Sequence, residues 1–397
     1  MEIKPAHRVQ NARSPVIPDL TERAADLVRT GRDVVDLSGA AVALPPPPGV
    51  ADAARAALDN DEASTDETRA TDLATAIVTK FERDNDLRFG TDQIVVTHGA
   101  RHALHLLMQA LLNDDDEVIV PAPYWPGYPD LVRLAGADPV IVRTRARNRF
   151  RMTPEELRGA LGPRTRLVIL NSPCNPSGVV YGRGELESLA RVLAEFPEVV
   201  VVCDDVYEYL CRTREPFATL LKVAPRLHDR TVIVNAVSEA WGMGRWRIGF
   251  AAGPARLLAA MRRIQSRSSA PPGPVAQAAA AAALAAPREH HETRNTALGR
   301  SHERLYRALS DLPGIDVQPA EGGYHLLVFV GRVLGTRPDI DDDVALATWL
   351  LEEHGVVTSP GTACGMPGYL RLSYAADDAV VAEATRRLCA ALSPPQP

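Results

Sequence analysis

Six short strings hold the residues whose types could do chemistry, and each adjoins an apolar run. His98-Gly99-Ala100-Arg101 follows a β-branched stretch and opens a helical pattern. Small residues there let backbone N–H groups approach an anion at a helix N-terminus, although an ordinary turn also explains the glycine. Pro123-Tyr124-Trp125-Pro126-Gly127-Tyr128 places two adjacent aromatics on a loop, where one can face a planar ring or join the core. Asn171-Ser172-Pro173-Cys174-Asn175-Pro176-Ser177-Gly178 makes a rigid loop from two asparagines and two prolines, and the Asn175 amide can donate to a phenolate-like oxygen. Asp204-Asp205-Val206-Tyr207 sets a carboxylate at a strand end, where it can hold a protonated ring nitrogen. Tyr207 sits three residues on, and Asp205 reads as a helix N-cap. Between Ser238 and Gly249, Arg247 is placed to clamp a phosphate bidentately, and Gly242, Gly244 and Gly249 permit tight turns. Arg371, in Tyr369-Leu370-Arg371-Leu372, lies in a short apolar strand. A buried guanidinium is costly unless it meets an anion, either a substrate carboxylate or a structural ion-pair partner.

An anion site, a carboxylate for a ring nitrogen, donors for a ring hydroxyl and an aromatic plate share one explanation, a pyridoxal-phosphate pocket. Such a pocket also needs a lysine. The chain has only three, Lys4, Lys80 and Lys222, although Lys and Arg together number 44. An arginine- and alanine-rich composition accounts for the scarcity.

The elements that must position these strings follow from the patterning. Apolar runs at 93–97, 117–120, 139–143, 166–170, 199–203, 231–235 and 248–252 alternate with helical patterns such as 100–112 and 184–195. Continuous apolar runs suit strands buried on both faces of a parallel sheet. The fold class is therefore α/β, a large doubly wound, mostly parallel sheet domain whose ligands bind outside the carboxyl ends of the strands, with a smaller α+β domain. Residues 1–44 read as an N-terminal arm and part of the small domain, 45–287 as the large domain and 288–397 as the small C-terminal domain.

The chain has 397 residues, a net charge of −6, 46% apolar and 24% charged residues. No apolar run approaches the roughly 18 residues of a membrane span. The polar first ten residues lack an apolar signal region, so a cytoplasmic protein is expected. The five cysteines form no CxxC pair, which disfavours zinc and disulfide frameworks. A mildly acidic chain without a basic block is not expected to bind nucleic acid, nor is a membrane partner or a metal expected.

In this order, the strings resemble the class I/II aminotransferases, the aspartate-aminotransferase-like group of fold type I pyridoxal-phosphate enzymes, over nearly the whole chain. The resemblance implies a homodimer with its active site at the subunit and domain junction. It implies that Trp125 stacks on the cofactor ring, Asp204 binds the ring nitrogen, and Asn175 and Tyr207 hold the hydroxyl oxygen. Gly99, Ala100, Arg101, Ser238 and Arg247 would build the phosphate cup, Arg371 would bind the substrate α-carboxylate, and Gly39 would line the substrate mouth. The chain departs from the pattern at its centre. The lysine that links the cofactor covalently should follow Ser238, and Glu239 stands there. The string 62–69 also lacks the family's Tyr and Gly, and Ala236 occupies a position where a phosphate-binding Ser or Asn is common.

A glutamate cannot form the covalent link, but it can move a proton. The expectation is thus an aminotransferase-fold enzyme, acting on an amino-acid-like or other carboxylate substrate by non-transaminase chemistry in specialised biosynthesis. Glu239 serves as its general acid/base, with Tyr207 beside it. Two alternatives stand with it: an aminotransferase holding pyridoxal or pyridoxamine phosphate non-covalently (or a Lys-to-Glu variant of one), and a non-catalytic binding or partner subunit with a blocked pocket. The cofactor is expected to be non-covalently bound pyridoxal or pyridoxamine 5'-phosphate, or none.

Overall fold

Strands that are apolar on both faces need cover on both faces, and the arrangement of this chain follows from that requirement. The computed structural model describes residues 4, 6, 16–39, 45–59, 67–287, 289–335 and 339–393. After a short strand β1 (Val35–Asp36), the large sheet takes β2 (Ile94–Thr97), β3 (Glu117–Ala122), β4 (Asp138–Arg143), β5 (Thr165–Asn171), β6 (Val200–Asp204), β7 (Thr231–Ala236) and β8 (Gly249–Ala252). Their order is β2-β8-β7-β6-β5-β3-β4. Neighbours are parallel except around β8, which runs antiparallel to both β2 and β7.

Alternate residues of these strands feed two separate cores. Val118, Val120, Leu167, Ile169, Val202, Val232 and Val234 pack on one face with Leu104, Leu107 and Met108 of the helix Ala100–Leu111. Ile119, Val168, Leu170, Val201 and Ile233 pack on the other with Leu186, Leu189 and Leu193 of the helix Arg183–Ala194. Each fully buried aliphatic side chain contributes about 1.5–3 kcal/mol, so a one-residue slip in register would expose a whole row. The sheet is doubly wound and mostly parallel, as the alternating runs predicted.

The smaller unit follows. Strands β9 (Asp316–Gln318), β10 (His325–Phe329), β11 (Val356–Val357), β12 (Ser359–Pro360) and β13 (Tyr369–Ser373) come late in the chain. Four of them form an antiparallel sheet in the order β12-β13-β10-β9, and β11 pairs in parallel with β1. The alanine-rich stretch forms the helix Pro274–Leu284, with Pro274 in its first turn, where a missing N–H costs nothing. It packs against the helices Val50–Asp59 and Glu67–Lys80.

One buried network ties that last helix to the large sheet. Lys80 is fully buried, and its ammonium pairs with Glu208 and donates to Asn85 Oδ1 at 2.7 Å. Glu208 also accepts from the side-chain amides of Asn85 and Asn235, both at 2.7 Å. Removing one partner of such a pair strands the other charge, at a cost of about 3–5 kcal/mol, whereas apolar replacement of both can be nearly neutral. Lys80→Met is therefore expected to lower the unfolding free energy by about 3 kcal/mol in urea titrations. The double variant Lys80→Met/Glu208→Leu should recover most of that loss.

Candidate active site at the carboxyl ends of the large sheet

Five strand ends and the loop before β8 converge on one cavity. Among the expected residues, Ala100, Arg101, Trp125 and Asn175 line it, as do Asp204, Tyr207, Ser238, Glu239 and Arg247. Its volume of about 160 Å³ leaves room for several waters, so side chains do not plug it. Gly99 abuts the cup from behind: its φ is +85°, and a Cβ there would meet the Arg247 guanidinium at 2.4 Å. Gly249 is equally constrained, because a Cβ would lie 2.5 Å from the Ala100 nitrogen. Gly39 is exposed. Residues 62–66 of the string 62–69 lie outside the described residues.

The cup carries charge without a counter-ion. Neither Arg101 nor Arg247 forms an ion pair among the described residues. The Arg101 guanidinium lies 5.0 Å from the centroid of the Trp125 ring. Burial, and then the nearby Arg247 charge, push its pKa down. Two mutually repelling guanidinium groups beside a helix N-terminus suit a phosphate dianion.

Asp204 is the last residue of β6 and is buried. Its Oδ2 accepts a hydrogen bond from the Tyr128 hydroxyl at 2.5 Å, and its Oδ1 has no partner. Burial pushes its pKa up to about 6, the bond from Tyr128 opposing that rise and the charge of Glu239 adding to it. A buried acceptor without a donor is costly, and a protonated ring nitrogen would satisfy it. Asp205 does not cap a helix: the chain turns through 206–209, and Asp205 is buried beneath the strand ends.

Asn171 braces this corner. Its side-chain amide donates to the Asp204 carbonyl at 2.8 Å, and its Oδ1 accepts from the Asn175 backbone N–H at 2.8 Å. The Asn175 side-chain oxygen in turn accepts from Arg371 Nη1 at 3.2 Å, which leaves the Asn175 amide hydrogens for a ligand. Arg371 is buried at the middle of β13, with no carboxylate partner among the described residues. Its Nη2 donates to the Ser38 carbonyl at 2.6 Å and to Ser359 Oγ at 3.0 Å, while Nε has no partner. The structural ion pair is thus excluded for the described residues, and an anion acceptor is still owed.

Glu239 lies in the loop that follows β7, three residues past its last residue, Ala236. Ser238 Oγ donates to Glu239 Oε1 at 3.1 Å, and the Tyr324 hydroxyl donates to Oε2. Burial raises the Glu239 pKa, with the Tyr324 and Ser238 bonds and the Arg247 charge opposing it. Tyr207 is buried edge-on against Tyr324, with ring centroids 5.3 Å apart. Burial, and then the Glu239 charge, hold its hydroxyl well above the usual phenol range. No lysine lines the cavity: Lys4 is exposed, Lys80 is tied to Glu208 and Lys222 pairs with Asp86.

Tyr128, Asn171, Tyr324 and Ser359 were not singled out as site residues from the sequence. Tyr128 and Asn171 stand inside strings that were, so an apolar run ending in polar and aromatic groups was the available signal. Tyr324 and Ser359 carry no local signal, since their partners lie far away in the chain.

The chain matches the family model for aminotransferase class I and II over residues 32–388. It is 39% identical to an aspartate/prephenate aminotransferase of Cereibacter sphaeroides, over 94% of this chain and 96% of that protein. It is 35% identical to an aspartate/prephenate aminotransferase of Nitrosomonas europaea, over 98% and 100%. The structure superposes on the aspartate aminotransferase of Rhizobium meliloti with a TM-score of 0.93 at 34% identity, covering 98% of this chain and 99% of that one. The chain belongs to the class I and II aminotransferase family, with the aspartate-aminotransferase-like fold. The relatives correct one expectation. Aminotransferases matching along nearly the full length point to transaminase function, so non-transaminase chemistry built on the loss of one lysine is set aside. The family implies pyridoxal phosphate as cofactor. The orphaned Asp204 Oδ1, the unpaired guanidinium groups of Arg101 and Arg247, and the Trp125 plate fit that group.

The cost of the unpartnered Asp204 oxygen is measurable. A carboxyl group whose folded pKa is about 6, against an ordinary 3.8, opposes folding once ionised. The penalty is absent well below pH 4, grows as pH rises through the interval between the two values, and is complete above pH 6. Asp204→Asn should therefore stabilise the cofactor-free protein by up to about 3 kcal/mol at pH 8 and about half that at pH 5. Chemical denaturation at the two pH values measures the difference.

Proposed function

We propose that this chain transfers amino groups between an amino acid and a 2-oxo acid, using pyridoxal 5'-phosphate held without a covalent link. The observation that carries the reading is the buried Asp204 carboxylate, which lines the cavity with one oxygen unpartnered. When bound, the cofactor supplies an electron sink for the pair released at the substrate Cα and a carbon that carries the nitrogen between the two substrates.

The residues divide the remaining work. Asp204 keeps the ring nitrogen protonated, and Trp125 covers one ring face. Asn175 and Tyr207 hold the ring hydroxyl oxygen. Gly99, Ala100, Arg101, Ser238 and Arg247 bind the phosphate through backbone N–H, hydroxyl and guanidinium groups. Arg371 takes the α-carboxylate, and Gly39 borders the mouth through which substrate enters. Glu239 moves the proton at the substrate Cα, a task suited to a carboxylate whose pKa burial has raised towards neutrality.

Substrates follow from the relatives' names: aspartate is the first amino donor to assay, and prephenate the first oxo-acid acceptor. The reading includes a homodimer working in the cytoplasm in a biosynthetic role, without nucleic acid, membrane or metal. It is compatible with the charge of −6. Among the described residues no helix is long and apolar enough to cross a membrane, and no cluster of three metal-ligating side chains occurs.

The test follows the nitrogen. Wild-type protein supplied with pyridoxal phosphate should move label from [15N]aspartate to an unlabelled 2-oxo acid, read by mass spectrometry. Absence of transfer in the wild type would sink the proposal, and transfer by Glu239→Lys alone would show that the covalent link is required. Borohydride reduction followed by intact mass should give a cofactor adduct in Glu239→Lys and none in the wild type. Arg371→Leu should lower kcat/KM for amino acids at least about 100-fold, the loss expected of a buried charge pair, while cofactor affinity stays within a few-fold.

A further inference from the structure

We propose that Glu239, held by Ser238 and Tyr324, is a receptor for a primary ammonium group, so that the chain takes the amine form of its cofactor, pyridoxamine 5'-phosphate, in preference to the aldehyde form. The inference rests on the cofactor reading above and adds which form the pocket selects.

The geometry is that of a held acceptor. Ser238 Oγ engages one carboxylate oxygen at 3.1 Å, and the Tyr324 hydroxyl engages the other. A carboxylate offers about four lone-pair positions. Two are used by these donors, and the others remain on a side chain that lines the cavity. Tyr324 cannot swing away, because it is buried and packed edge-on against Tyr207. The carboxylate is therefore fixed in direction before any ligand arrives, which reduces the ordering cost of binding.

Charge matching then separates the two cofactor forms. The cavity holds two cations, Arg101 and Arg247, and two carboxylates, Asp204 and Glu239. A phosphate dianion answers the two guanidinium groups, and a protonated ring nitrogen answers Asp204. With the aldehyde form nothing answers Glu239, whose oxygens would face a carbonyl oxygen that can only accept. With the amine form an ammonium group, which can only donate, meets an acceptor whose donors are already in place. No ion pair to Glu239 occurs among the described residues, so the site has no resident cation to displace. Arg247 acts on it only through space.

Burial supports the same direction. Burial disfavours the charge on the Glu239 carboxylate, and an ammonium group beside it would offset that cost where a carbonyl oxygen would not. The groups facing Glu239 are Tyr324, Tyr207, Asp204 and Arg247. The two tyrosines stay neutral because their hydroxyls titrate far above the usual range.

The experiment is a pair of calorimetric titrations of the cofactor-free full chain, one with pyridoxamine 5'-phosphate and one with pyridoxal 5'-phosphate. The expected result is a Kd at least about tenfold lower for the amine form. Glu239→Gln, which keeps the shape and loses the charge, should bring the two within about threefold by weakening the amine form alone. Tyr324→Phe should weaken the amine form selectively and by less. Equal or tighter binding of the aldehyde form to the wild type overturns the inference while leaving the cofactor reading intact. So does an unchanged ratio in a folded Glu239→Gln protein; should that variant not fold, an unchanged ratio in Tyr324→Phe decides the same way. Failure of the wild type to bind either form overturns the cofactor reading, and the inference falls with it.

Discussion

Asp204 sits at the end of a strand whose flanks are closed by apolar cores on both faces, and there its charge has almost no water to share. Ionising it costs free energy that the Tyr128 hydroxyl and the Val206 backbone N–H recover only in part. Its Oδ1 is an unmet demand built into the sheet. A parallel sheet makes this possible because its strands end together, on one edge, with their polar ends unshielded by hairpins. The Trp125 ring, the Asn171–Asn175 brace and the Arg101 and Arg247 guanidinium groups are grouped around that demand. Each is carried by a neighbouring strand end, so their spacing is set by the sheet rather than by flexible loops.

The second constraint crosses from the large sheet to the small one. Arg371 belongs to β13, yet its guanidinium touches Asn175, which belongs to the loop after β5. The Ser38 carbonyl and the Ser359 hydroxyl hold the same group from two further segments. A carboxylate arriving at Arg371 would thus act on a network that includes the Asn175 side chain. Binding and orientation are coupled through one planar fork, whose geometry a lysine at 371 could not reproduce.

Much of this was legible in the sequence, for a physical reason. A residue at a strand end is marked by the apolar run before it, so the strings that hold Trp125, Asn175, Asp204 and Ser238 stand out by position, while the roles of Trp125 and Ser238 come from the family resemblance. Arg371 betrayed itself by being a charge in an apolar strand. The donors that complete the site could not be read in this way. Tyr324 reaches Glu239 and Ser359 reaches Arg371 across gaps that only tertiary packing closes, and no local pattern encodes them. The consequence of Glu239 was also misjudged. One substitution at the centre of the pattern suggested different chemistry, but the similarity of the rest of the chain to aminotransferases argues that the surrounding machinery serves the same class of reaction.

A lysine at 239 would do two things, anchoring the cofactor and carrying a proton, and a carboxylate separates them. Under the proposed non-covalent reading, affinity would come from the charges that remain: two guanidinium groups for the phosphate and one carboxylate for the ring nitrogen. The half-buried carboxylate at 239 adds a negative charge near Asp204 and raises its pKa further, a penalty that a neutral residue there would not impose. A cationic ligand removes both penalties together. The cost of ionising Asp204 and the proposed selectivity for an ammonium group thus have the same origin, two carboxylates that face one cavity.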